Sequence, residues 1–380
     1  MKRTSVLLLG SYGQSNLGDD LLMWNYLELL KERGFKKIYV NANTTDLIPE
    51  PIKKAYPDLH IINTYETSIP EYLRLIRNVD CIVYGGGTLY KELYSSTGRS
   101  KYSVIIRMMG VNLIAKWSGT KLYHLNIGIG SLKTALGRFI SKTALAASTH
   151  TVFRDEKSYE IARTTLGIAP SKISKAPDGL FINHIWEDAW NTSEMPKKSA
   201  TTTVGINVLS DIPDWIDRES YIDSMRRFVT QLCKNGTHVV FVPFQHTFNQ
   251  RNDLVFTREN FGDIIDRYDN CSVLEGVPID EISDCLKKCD VFVGMRFHSL
   301  LLCAANRVPF VAVAYDTKCW RFIEENNYPH AIELEKLETE TLLDQYENAL
   351  HSKKQTSKLL DSITKRTYKE AEEALRTLSL

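Results

Sequence analysis

Short runs of uninterrupted apolar residues alternate along this chain with stretches in which apolar positions recur every three or four residues. The runs at 6–9, 38–40, 81–84, 122–127 and 152–153 predict strands in the first half. Those at 204–208, 239–243, 272–274, 291–293 and 310–314 predict strands in the second. Helical spacing fills the gaps, most clearly over 21–30, 104–117 and 221–232. A strand that is apolar at every position is buried on both faces, as in a parallel sheet covered by helices on each side. The pattern therefore predicts an α/β protein with two Rossmann-like, doubly wound domains.

The polar stretch 191–203 (NTSEMPKKSATTT) marks the seam. It divides residues 1–190 from a second domain at 200–345. A terminal amphipathic helix follows over 357–380, with Leu360, Ile363, Thr367, Ala371, Ala374 and Leu378 on one stripe, packing on or bridging the domains. Ligands of open parallel sheets bind beyond the carboxyl ends of the strands, so two such domains predict a site in an interdomain cleft.

Length and composition agree with this picture. At about 150 residues per domain, 380 residues suit two domains. The 43% hydrophobic and 24% charged content is that of a globular protein. With 47 basic against 46 acidic residues, the net charge of +1 excludes a general nucleic-acid binder but leaves room for a local anion pocket. Seven cysteines without a Cys-x-x-Cys pair, and no His beside Cys285 and Cys289, predict reduced, buried thiols in a cytoplasmic protein with no metal site. The apolar run 5–9 is too short for a signal peptide and reads as the first strand. No apolar run approaches the ~18 residues of a membrane span, since 104–115 is broken by Arg107 and Asn112.

Candidate chemistry sits in the loops after the strands. The first, GSYGQSNLGDD at 10–20, turns from a strand into a helix, but its glycine spacing is neither the dinucleotide fingerprint nor a P-loop. Asp19 serves there either as a helix cap or as a contact for a sugar hydroxyl, with Asn16 beside it. Gly85-Gly86-Gly87-Thr88 follows another buried strand, where three glycines imply a close backbone approach or a tight turn on the sheet. Gly128-Ile129-Gly130-Ser131 repeats the theme. Arg154 ends a strand before Asp155 and Glu156, which suit a helix first turn; an anion contact and a structural Arg–Asp pair compete for Arg154.

The run Val291–Leu300 (VFVGMRFHSL) is the most informative. A buried strand breaks at Gly294 and a helix follows, with Arg296 and His298 two apart in what reads as an extended turn, facing one side. A guanidinium, an imidazole that titrates near neutrality and a helix N-terminus together suit an anion site with proton transfer. Tyr315-Asp316-Thr317-Lys318 and Pro243-Phe244-Gln245-His246 offer further polar groups at strand ends.

These pieces resemble the polysaccharide pyruvyltransferase family of cell-envelope and exopolysaccharide pathways. The resemblance rests on GSYGQSNLGD at 10–19, GGGTLYKE at 85–92, RDEKS at 154–158, GMRFH at 294–298 and LLLCAANRVPFVAVAYDTK at 300–318. Ser131 stands where the family usually has Pro, and Asp178-Gly179-Leu180 replaces an Asp-Pro-Ala-like element. The family implies two Rossmann-like halves like those of a B-type glycosyltransferase, without an organic cofactor. It also implies transfer of a pyruvyl group from phosphoenolpyruvate to two hydroxyls of a hexose in a glycan or lipid-linked saccharide, near the inner membrane face.

Such a donor carries a carboxylate and a phosphate, and its site needs cations and backbone donors. Arg296, Arg154, Lys318 and the backbone at Gly294 are the donor-side candidates, with the second domain on the phosphoenolpyruvate side. Asn16, Asp19, Gly86 and Gly87 are the acceptor-side candidates in the first. His298 and Arg296 are the catalytic candidates: His298 moves a proton and Arg296 holds an anionic group. General acid–base help of this kind contributes about 100- to 10,000-fold. Two other readings share the fold: a nucleotide-sugar glycosyltransferase, for which Glu275 would hold a ribose, and a non-catalytic saccharide- or anion-binding protein.

Overall fold

The structure is a computed structural model, and it describes residues 4–64, 66–92, 100–186, 201–246, 252–276 and 278–378. The chain divides into two compact units. The first comprises Met1–Gln14, Asp19–Asn183 and Thr367–Leu380; the second comprises Ser15–Gly18 and His184–Arg366. Most of the seam at 191–203 lies outside the described residues.

The first unit is built on β1 (Ser5–Leu9), β2 (Lys37–Ala42), β3 (His60–Asn63), β4 (Cys81–Gly85), β5 (Thr88–Tyr90), β6 (Lys121–Ile129), β7 (His150–Phe153) and β8 (Ile173–Lys175). They form a parallel sheet in the order β3-β2-β1-β4-β6-β7-β8, with β5 paired to β6. All five residues of β4, and four of five in β1, are buried, which is why both appear as unbroken apolar runs. The helices are α1 (Leu17–Glu32), α2 (Glu50–Ala55), α3 (Ile69–Asn78), α4 (Ser103–Ser118), α5 (Ala135–Ala147) and α6 (Glu156–Glu160). From β3 through β4 and β6 to β7 the chain steps one way across the sheet, so right-handed crossovers put α3, α4 and α5 on one face.

The second unit carries β9 (Thr203–Ile206), β10 (His238–Phe241), β11 (Cys271–Val273), β12 (Val291–Gly294), β13 (Phe310–Ala314) and β14 (Ala331–Glu333), parallel in the order β11-β10-β9-β12-β13-β14. Its helices are α7 (Arg218–Lys234), α8 (Asp253–Arg267), α9 (Ile282–Lys287), α10 (Phe297–Ala305), α11 (Thr317–Glu325), α12 (Thr339–His351) and α13 (Lys353–Arg376). Four strands go beyond the sequence expectation: β3, β5, β8 and β14. Each has three or four residues and none is wholly buried, so none leaves an apolar run to read.

The last helix belongs to both units. Within the second, Thr364 Oγ1 donates to the Ala304 carbonyl (2.9 Å) and Arg307 Nε to Asp361 (3.1 Å). Within the first, Arg33 Nη2 donates to the Leu375 carbonyl at 2.8 Å and the rings of Phe181 and Tyr368 meet edge to face. Ser15–Gly18, expected with the first domain, instead packs in the second unit. Its Leu17 N–H donates to the Phe244 carbonyl (3.0 Å), and His246 N–H to that of Ser15 (2.9 Å).

No disulfide joins any of the seven cysteines. Among the described residues no helix is long and apolar enough to cross a membrane, and no three His, Cys, Asp or Glu side chains are grouped to hold a metal. In each sheet the strand order reverses once, between β1 and β4 and between β9 and β12. Such switch points place loops for ligands; the loops holding Asn16, Asp19, Gly86, Gly87, Arg296 and His298 lie beside them, while Arg154 follows β7 and Lys318 follows β13.

Candidate functional site

In the second unit, β12 ends at Gly294, and a Cβ there would lie 2.6 Å from Leu300 Cδ2 and 2.9 Å from Ser299 Oγ. The bare backbone at Gly294 thus lets α10 fold back on its strand. Only Met295 and Arg296 separate strand from helix, and Arg296 is the extended N-cap of α10. His298 is already in the first helical turn. The extended turn expected to put Arg296 and His298 on one side is therefore absent: two-residue alternation requires strand geometry, and the helix begins too early for it.

Arg296 is buried, and its guanidinium is engaged on both edges. Nε and Nη2 donate to Asp253 Oδ2 and Oδ1 at 3.2 and 2.6 Å, Nη2 also reaches Ser210 Oγ (3.2 Å), and Nη1 pairs with Asp211 Oδ1 at 2.6 Å. Its backbone N–H donates to Asn207 Oδ1 (2.8 Å). Burial works against its charge, but Asp253 and then Asp211 outweigh burial and push its pKa up. The guanidinium expected from sequence to hold an anionic group thus has its charge shared by two carboxylates.

Asp253, fully buried, organises this end of the sheet. Besides Arg296 it accepts from Ser210 N and Oγ (3.3 and 2.8 Å), Phe244 N (3.3 Å) and Gln245 N (3.1 Å). One carboxylate therefore gathers the loops after β9, β10 and β12. Gln245 in turn accepts from Asn16 Nδ2 at 3.2 Å, bringing Asn16 into the same cluster. His298 fills the space beside Gly18 of the same segment: a Cβ on that glycine would sit 2.0 Å from His298 Nδ1.

Lys318 opens α11, which Asp316 caps by accepting from Cys319 N (3.0 Å). Lys318 Nζ lies 3.3 Å from Asp316 Oδ2 and 5.6 Å from the centre of the Phe297 ring. Burial would raise the Asp316 carboxyl, yet Lys318 and the Cys319 N–H hold it below the usual range. Burial pushes the neighbouring Tyr315 phenol up to about 12 although Lys318 draws it down. Glu275, the carboxylate considered for a donor ribose, is exposed and paired with Arg258.

The first unit gathers a separate group at its own strand ends. Arg154 Nη1 donates to Asp178 Oδ2 at 3.0 Å and Nη2 to Thr88 Oγ1 at 2.6 Å, with both charged side chains almost wholly buried. Of the two readings for Arg154, the Arg–Asp pair is present, and it gives Asp178 a partner. Gly86 and Gly87 both have left-handed φ, +69° and +82°, at the bend between β4 and β5, and a Cβ on Gly86 would meet Leu22 at 2.7 Å. Their glycine character follows from this turn. Asp155 caps α6 by accepting from Ser158 N at 2.8 Å.

Asp19 and Asp20 lie in the first turn of α1, close enough to the buried phenol of Tyr12 to add to the upward push of burial on it. Asp20 is itself buried, and burial, then the charge of Asp19, raises its carboxyl well above the usual range. Its Oδ1 has no hydrogen-bond partner among the described residues.

Asp253, Asp211, Ser210, Asp20 and Asn126 escaped the sequence reading. The first three lie in no glycine-rich or arginine-bearing motif; Asp20 closes the 10–20 loop, but an Asp at a helix start reads as a cap. Asn126 was detectable in principle, as a polar residue inside an apolar strand. It has φ +52° at a break in the β6–β7 register, and its amide donates to the Pro177 carbonyl.

The family model for polysaccharide pyruvyl transferases matches residues 16–317, which spans the strand-end loops described above except the start of the first and Lys318. The chain belongs to that family. No curated protein matches the pyruvyltransferase-family chain by sequence. Among solved structures it is similar to the UDP-GlcNAc 2-epimerase of Neisseria meningitidis, with TM-score 0.63, 10% identity and 98% of each chain covered. The Methanocaldococcus jannaschii UDP-GlcNAc 2-epimerase gives 0.59 and 12%, over 91% of this chain and 92% of that one. A glycosyltransferase from Rickettsia africae gives 0.56 and 11%, over the full length of both. At such identities the likeness is one of fold: this family member has the two-domain α/β architecture of the glycosyltransferase-B type.

Proposed function

We propose that this protein transfers the pyruvyl group of phosphoenolpyruvate to two hydroxyls of one hexose in a polysaccharide or its precursor, releasing phosphate and closing a cyclic ketal. The observation that carries this reading is the turn from β12 into α10, which lies inside the family match and sets a fixed guanidinium and an imidazole at a helix start. His298 gives a proton to the enol methylene, which becomes a methyl group, and the adjacent carbon takes the oxygen of the first hydroxyl. The bond from that carbon to the phosphate oxygen then breaks, the second hydroxyl adds, and each hydroxyl gives up its proton. These steps need no organic cofactor.

Arg296 takes part through one edge. Asp253 holds Nε and Nη2, while Nη1 faces Asp211, which is partly open to solvent. A donor carboxylate or phosphate displacing Asp211 gains a charge-assisted bond to a guanidinium that is already oriented. Lys318, Arg154 and the Gly294 backbone are the remaining donor-side groups of the proposal, and Asn16, Asp19, Gly86 and Gly87 those of the acceptor side. The location follows from the donor and is the cytoplasm.

The test is incubation with phosphoenolpyruvate and an array of hexose glycosides. Released phosphate, an acceptor gaining the pyruvyl mass and a new ketal methyl proton signal are expected. Absence of phosphate release with every acceptor, together with thermal stabilisation by UDP-GlcNAc or another nucleotide sugar, would establish the glycosyltransferase reading instead. A folded His298→Ala protein that still forms ketal at a near-normal rate would remove His298 from the mechanism.

A further inference from the structure

Between Glu92 and Asp155 the sequence contains nine basic residues and no acidic one, although acidic residues make up 46 of the 380. This stretch contains α4 and α5, which lie with α3 on one face of the first unit's sheet. Nine large apolar side chains are exposed among the described residues, and seven of them are on these three helices. Trp117 is 83% exposed and Phe139 63%.

Six of these exposed apolar residues line the two neighbouring helices α4 and α5. Ile106, Leu113 and Trp117 are seven and four apart, one stripe along the outside of α4. Its inner side, with Ile105, Met108, Val111 and Ala115, is buried. The two helices run side by side in a constant register. Tyr102 Oη and Thr134 Oγ1 are 3.1 Å apart at their N-caps, and Asn112 Nδ2 donates to the Ala144 carbonyl at 2.9 Å, each a step of 32 residues. Leu136 and Phe139 of α5 therefore flank the N-terminal end of the α4 stripe.

Long cationic side chains border these residues. Arg107, Lys116 and Lys142 are exposed on the same two helices. From α3, the exposed Arg77 places its guanidinium 5.9 Å from the centre of the Trp117 ring. Arg107 lies 5.7 Å from that of Tyr72.

We propose that the outer face of α3, α4 and α5 is a peripheral docking surface for a bilayer bearing anionic phospholipid. Exposed aromatic and aliphatic groups enter the boundary between headgroups and acyl chains while basic groups beside them meet the lipid charge. A second copy of the chain is a poorer occupant, because a two-fold interface would set this basic face against itself. The inference rests on the surface alone and stands whatever reaction the strand-end loops perform.

The experiment is flotation of the full chain with vesicles of phosphatidylcholine, with and without one-third phosphatidylglycerol. Binding is expected only to the anionic vesicles and weakens as salt is added. Lys116→Gln with Lys142→Gln lowers the partition coefficient about 25-fold, at about fivefold per basic residue. Trp117→Ala with Phe139→Ala lowers it at least about tenfold. All four positions are exposed, so both variants keep the wild-type melting temperature, which is checked in parallel. The proposal is overturned if the chain ignores anionic vesicles at low salt, or if folded variants float like the wild type. It is equally overturned if sedimentation velocity shows that Trp117→Ala with Phe139→Ala splits a dimer, since the face would then be an interface between copies.

Discussion

Gly18 has no side chain, and the imidazole of His298 stands where one would be, with Nδ1 2.0 Å from the position of a Cβ. Gly18 lies in the first turn of α1, without the left-handed φ that would itself demand glycine. Alanine there suits the helix backbone, so its only penalty is the collision with His298. Gly18→Ala should still fold, with a stability loss of about 1–3 kcal/mol from the overlap. It should lower kcat/KM for ketal formation about 100-fold, the usual cost of an ångström-scale shift of a reacting group. Full activity in Gly18→Ala would mean that the His298 position is immaterial.

The Asp253–Arg296 pair makes a different prediction, because here the fold depends on the contact. Removing one partner of a buried ion pair leaves an uncompensated charge at a cost of about 3–5 kcal/mol. Asp253→Ala should lose stability of that order in urea unfolding, with the loops after β9 and β10 losing amide-exchange protection first. Asp211 is partly exposed, so Asp211→Asn should cost less than about 1 kcal/mol. If Asp211 occupies the donor's place on Arg296, that substitution lowers KM for phosphoenolpyruvate; an unchanged or raised KM argues against the exchange.

Asp20 should make the protein less stable as pH rises. Its native pKa is raised by burial and by Asp19 above the ordinary value near 4. The stability it contributes is therefore complete below about pH 4 and is lost as pH climbs through the native value. Asp20→Asn keeps the neutral form at every pH. It should match the wild type near pH 4 and become more stable than it by up to about 1.4 kcal/mol per pH unit above that. Parallel stability curves across pH 4–8 would show that Asp20 ionises normally.

His124 acts in the opposite direction. It is fully buried on β6, with Nε2 3.0 Å from Tyr90 Oη and Nδ1 2.9 Å from Thr151 Oγ1, and burial lowers its pKa to about 3. The unfolded chain takes up that proton near pH 6.5, so the stability His124 contributes is whole above about 6.5 and falls away as pH drops toward the native value. The expected slope is about 1.4 kcal/mol per pH unit in that window. His124→Gln should flatten it in urea unfolding between pH 4.5 and 6.5, whatever it does to stability at neutral pH. An identical slope in both proteins would assign the acid sensitivity elsewhere.

The parallel α/β plan was legible in the chain because buried central strands must be apolar at every position. The runs at 81–84 and 291–293 announce β4 and β12 without any partner. The motif at 294–298 was legible for a similar local reason, as a strand, a glycine and a helix in quick succession. Edge strands such as β3 and β8 were not, since partial exposure removes the compositional demand that makes a strand visible.

What the sequence by itself determined is where the strand-end loops fall and which side chains they carry, because backbone propensity and burial act over neighbouring residues. Which carboxylates share the Arg296 charge, and which glycine faces His298, only the tertiary structure decided. Asp253 is 43 residues from Arg296 along the chain, and Gly18 is farther still from His298. Such pairings arise from sheet order and register, through which parallel strands bring distant loops to one edge. Electrostatics then acts on whatever groups that edge assembles, and no spacing in the sequence encodes the outcome.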